Sequence, residues 1–95
     1  MINISIKKDE IKIKGHANYE EYGKDIVCAS ISSIAITTIN AIIEFDSNSI
    51  DVEDSDGYLK IEILKHTDNV DILINNMIKL FKELESKYPK NIKIN

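Results

Sequence analysis

Ile2, Ile4 and Ile6 alternate with Asn3, Ser5 and Lys7, the period of two that belongs to a half-buried strand. Lys8-Asp9-Glu10 has turn character, and Ile11-Lys12-Ile13-Lys14 alternates again, so the pair reads as an antiparallel hairpin. Gly15 to Lys24 carries no sustained period and reads as a connecting loop, long enough to suggest a functional one. From Asp25 to Phe45 the many isoleucines favour strand, but the length favours helix. Val27, Ile31, Ile34, Ala35 and Ile42 fall on one face of that helix. Ile39 and Ile43 broaden the face, which predicts a central helix covered on several sides. Asp25 is its expected N-cap.

Ile50-Asp51-Val52 and Tyr58 to Ile63 alternate on either side of Asp54-Ser55-Asp56-Gly57, a second hairpin with its turn chemistry at Asp56-Gly57. Thr67 has the character of an N-cap. Val70, Leu73, Ile74, Met77, Leu80, Phe81 and Leu84 then recur at helical spacing until Tyr88-Pro89 ends the run. Ile92 and Ile94 make a short last strand. The order ββ-α-ββ-α-β predicts an α+β fold, a largely antiparallel sheet with two helices packed on it, in one domain over residues 1–95.

At 95 residues a domain buries only a modest core, roughly 60–65% of the surface its unfolded chain exposes. Shared burial in an oligomer would supplement it. The net charge of −4 argues against nonspecific nucleic-acid binding, which needs clustered positive charge, and suits a basic protein partner. A single cysteine excludes an intramolecular disulfide. Met1 to Lys14 lacks the pattern of a signal peptide. Ile26–Phe45 holds Ser30, Ser32, Ser33, Thr37, Thr38, Asn40 and Glu44, too polar for a comfortable membrane span. These features point to a cytoplasmic protein with no membrane partner.

Cys28 is the main candidate for chemistry. Three residues after the expected N-cap, it would sit near unbonded N–H groups and the positive end of the helix dipole, a setting that suits a thiolate nucleophile and an oxyanion. A lone cysteine in an apolar run is also commonly a small buried hydrophobe. His16 follows Gly15, a residue that lets the backbone bend at the strand end, and is positioned to serve as general base. His66 precedes an N-cap without an evident partner and reads as structural. One cysteine and two scattered histidines make no metal-ligand pair, and the acidic run Asp51 to Asp56 lacks the length and terminal Glu of a calcium loop. No phosphate-binding glycine loop is present, so no cofactor is expected.

Gly15-His16-Ala17, Glu21-Tyr22-Gly23 and Asp25-Ile26-Val27-Cys28-Ala29 followed by Ser32 together resemble the Prp family of ribosomal-processing cysteine proteases. The element order and Gly57-Tyr58-Leu59 after the acidic turn fit as well, and the resemblance spans essentially the whole chain. It implies a bacterial endopeptidase that removes the N-terminal extension of a large-subunit ribosomal protein during ribosome assembly. It also implies a homodimer with a Cys–His catalytic pair. By resemblance Cys28 is the nucleophile and His16 the base, with Asp25, Gly15 and Ser32 in support; Asp25 orients His16, caps the helix or does both. Ser30 departs from the small Ala or Gly common in the family. A binding module for peptide or ribosomal protein, with an inert cysteine, is the rival expectation, and a redox-sensing thiol is a third.

Overall fold

The computed structural model describes residues 1–15 and 22–95, with the backbone alone over 22–25. Its elements are β1 (Ile2–Ile6), β2 (Glu10–Lys14), α1 (Tyr22–Phe45), β3 (Ile50–Ser55), β4 (Tyr58–Ile63), α2 (Asp68–Lys87) and β5 (Ile92–Ile94). The five strands form one sheet in the order β3-β4-β2-β1-β5. All neighbours are antiparallel except β1 and β5, which run parallel. The expected α+β architecture is therefore present.

The alternation in the strands decides which face is covered. Ile2, Ile4, Ile11, Ile13, Leu59, Ile61, Ile63 and Ile92 are all buried, and they share one core with Val27, Ile31, Ile39 and Ile42 of α1 and Val70, Ile74, Met77 and Phe81 of α2. Both helices thus lie on the same face. Ile4 pairs with Ile13, Ile6 with Ile11, and Ile11 in turn with Ile61. A slip of one residue would turn these isoleucines to solvent, so the apolar pattern fixes the register.

α2 begins and ends where its signals put it. Thr67 Oγ1 accepts a hydrogen bond from the Val70 amide at 3.2 Å, and the Tyr88 amide closes the last turn onto the Leu84 carbonyl. The β3–β4 turn is tighter than expected. β3 runs on through Ser55, leaving Asp56-Gly57 as the turn, with Gly57 at φ +71°.

α1 departs from expectation in two ways. It starts at Tyr22, so the expected connecting loop loses residues 22–24 and Asp25 lies inside the helix instead of capping it. Nothing in Tyr22-Gly23-Lys24 breaks a helix as proline would, and extending an existing helix needs no new nucleus. The second departure is its outer side. Ile36 and Ile43 are exposed, so the helix is covered on the sheet side and by α2 and not all round. A two-layer fold has no third layer to bury them. Ile26–Phe45 is also long and apolar enough to cross a membrane by length and composition alone, its isoleucines outweighing its polar residues. A core helix passes the same test, and here Val27, Ile31, Ala35, Ile39 and Ile42 are spent on the core.

Candidate active site

The end of β2, the start of α1 and the β3–β4 turn meet around Gly15. Its amide donates to the Gly57 carbonyl at 2.8 Å, which ties the end of β2 to the turn. Its carbonyl accepts a long contact, 4.0 Å, from Cys28 Sγ. Gly15 holds φ at +85°, and a Cβ on it would lie 2.8 Å from the Met1 carbonyl oxygen. Both the left-handed backbone and the close approach of β1 require glycine.

Cys28 is buried, with 7% of its surface exposed, and belongs to the apolar core. It is the seventh residue of α1, in the second turn and not the first as expected. Among the described residues of α1, the amides that lack an i−4 acceptor are those of its first three, Tyr22 to Lys24. Lys24 lies about 6 Å along the axis from Cys28, at a rise of 1.5 Å per residue. Because Cα–Cβ bonds in a helix tilt toward its N-terminus, the thiol leans back toward those amides. Ser32, one turn further on, is half-buried on the same side of the helix as Cys28. Ser30 turns away to bond the Ile26 carbonyl at 2.9 Å. The expected base, His16, lies outside the described residues, as does most of the loop that carries it; of Asp25 only the backbone is described.

A second polar cluster stands apart from Cys28. His66 Nδ1 lies 2.7 Å from Asp71 Oδ1, and Nε2 lies 2.6 Å from Asp9 Oδ1. Neither partner is evident from the residues flanking His66. Asp71 is five residues away, within reach of a local search, but Asp9 is 57 residues distant and only the fold brings it near. Among the described residues no three His, Cys, Asp or Glu side chains converge on a metal position.

A glycine-hinged strand end facing a cysteine in the opening turns of a helix is an arrangement suited to thiol chemistry. The family described as cysteine protease Prp matches residues 1–93. The chain belongs to that family. Ribosomal processing cysteine protease Prp of Staphylococcus aureus is 31% identical over 97 residues, covering 99% of this chain and 92% of its own. The crystal structure of the S. aureus protease with a substrate peptide is 28% identical and superposes with a TM-score of 0.86, covering 99% of this chain and 95% of that one. A second S. aureus structure, with a covalently linked product peptide, is 29% identical at a TM-score of 0.82, over 99% of this chain and 95% of that one. The family is one of cysteine proteases that act in ribosomal processing, and the fold above is its fold.

Proposed function

We propose that this chain is a cytoplasmic endopeptidase that removes the N-terminal extension of a large-subunit ribosomal protein, with Cys28 as nucleophile and His16 as general base. The observation that carries the assignment of Cys28 is arithmetic: a cysteine protease needs a thiol, and the chain has one. The contact between Cys28 Sγ and the Gly15 carbonyl supports His16, because the residue bonded to that carbonyl carbon is His16 itself.

In this reading His16 takes the proton from Cys28 Sγ, and the thiolate attacks the scissile carbonyl carbon. Amides at the start of α1 stabilise the oxyanion. His16 then protonates the departing amine, and water, activated by His16, hydrolyses the thioester. Gly15 sets the backbone that leads into His16, Ser32 supports the thiol from one turn below, and Asp25 orients His16. The net charge of −4 favours encounter with a basic ribosomal protein. The protein acts as a homodimer. Ala29, Ile36 and Ile43, spaced by seven along α1, are all exposed and form an apolar stripe that a second copy would bury.

The test is incubation with the extension-bearing ribosomal protein and mass analysis of the products. Release of the intact extension by the wild type and its abolition in His16→Ala are expected; undiminished cleavage by His16→Ala would refute the pair. The near-complete burial of Cys28 favours a second reading, a binding module with an inert thiol. Iodoacetamide separates the two: a protease thiol reacts quickly at neutral pH and slows in His16→Ala, whereas an inert one reacts slowly in both.

A further inference from the structure

We propose that Asp9, His66 and Asp71 form a proton-dependent clamp that fastens the β1–β2 turn to the start of α2. The two ring nitrogens of His66 meet two different carboxylates, Asp71 Oδ1 at 2.7 Å and Asp9 Oδ1 at 2.6 Å. An ionised carboxylate only accepts, so both contacts are hydrogen bonds only when both nitrogens carry a proton. A neutral ring has one N–H, and its other nitrogen would then set a lone pair against a carboxylate at hydrogen-bonding distance. One contact must open. Asp71 is on the adjoining helix, five residues along, whereas Asp9 comes from a separate hairpin. The neutral ring therefore keeps Asp71 and releases Asp9.

The surroundings favour the charged ring. The hydrogen bond from Asp71, then that from Asp9, raises its affinity for a proton above the ordinary value of 6.5, against a smaller opposing effect of burial. Lys7 and Lys8 of the turn line the same crevice as His66, with Lys65 beside it in the chain and Asp68 in the first turn of α2. None of these matches two carboxylates in contact with the ring. The clamp is complete below about pH 6.5 and is lost as pH rises through the higher folded value.

What the clamp holds is the mouth of a crevice of about 480 Å³ floored by Ile6, Ile11, Ile63, Ile74 and Ile78, with His66 and Asp71 on its rim. The turn is also tied to the end of β4, next to that junction: the Ile63 amide donates to the Asp9 carbonyl at 2.8 Å. Its exchange with solvent reads the attachment of the turn. The experiment follows amide exchange of Ile63 by NMR from pH 5.5 to 8.5, normalised for intrinsic base catalysis, beside the His66 ring titration. Protection is expected to fall roughly two- to fivefold, the scale of an exposed ion pair, with the midpoint of His66. His66→Ala and Asp9→Ala should both show the low, pH-independent protection throughout. A flat wild-type profile across the His66 titration, or a pH step that survives in either variant, would overturn the clamp.

Discussion

Replacing Gly15 with alanine tests the geometry around Cys28 at its tightest point. The new Cβ meets two separate costs. At φ +85° an L-residue is held in left-handed backbone, which costs about 1–2 kcal/mol. The Cβ would also stand 2.8 Å from the Met1 carbonyl oxygen, a separation that forces the backbone of β1 or β2 to shift. An overpacking penalty of about 1–2 kcal/mol is reasonable for that shift, so the total is about 2–4 kcal/mol. For a chain of this size, stability is on the order of 5–14 kcal/mol, so the variant should fold with a visibly lower urea midpoint. Far-UV circular dichroism in urea measures it. Gly57→Ala serves as the internal comparison, since Gly57 sits at φ +71° in a hairpin turn and reports the conformational cost at a second site. Cleavage supplies the other readout. Shifting the Gly15 carbonyl moves the acceptor of the Cys28 thiol, so kcat should fall more than KM rises in Gly15→Ala. A loss under about 0.5 kcal/mol with unchanged kcat would refute the reasoning.

Other expectations follow from single contacts. Phe81→Ala removes the largest fully buried side chain among the described residues and should cost about 3–5 kcal/mol in the same urea assay. Thr67→Ala removes the acceptor of the Val70 amide at the start of α2 and should cost about 1 kcal/mol, recovered in Thr67→Ser. Glu85 Oε2 accepts from the Ile94 amide at 2.8 Å, tying edge strand β5 to α2, so Glu85→Ala should speed exchange of that amide and lower stability by about 1–2 kcal/mol. Ile43→Glu places a charge on the exposed stripe of α1 and should convert a dimer to a monomer in light scattering, with little change in circular dichroism.

The elements were legible wherever one side of a segment alone faces the core. In β1, β2 and β4 each buried isoleucine or leucine alternates with a polar residue, and the strand ends fall close to the ends of the alternation. α2 shows its helical repeat as plainly, with Thr67 and Tyr88 marking its limits. α1 was legible as a helix but not in its boundary or its faces. Isoleucines lie on all sides of it, so the pattern cannot say that Ile39 is buried and Ile43 exposed. Asp25 has the chemistry of an N-cap, yet the helix begins earlier, because a capping residue is favoured at a helix start without being confined to it. At the site, Cys28 and Gly15 could be named from local sequence, but their contact depends on β2 and α1 meeting across an intervening loop. The partnership of His66 with Asp9 was beyond local reading for the same reason: it exists only once the β1–β2 hairpin lies beside the start of α2.

If the one thiol of this chain attacks the peptide bond, removing it must stop cleavage. Cys28→Ala, confirmed folded by its urea transition, is incubated with the extension-bearing ribosomal protein under conditions in which the wild type turns over. A loss of at least roughly a thousandfold in cleavage rate, with binding of the uncleaved precursor retained, is predicted. Cleavage by Cys28→Ala at the wild-type rate would show that Cys28 is not the nucleophile.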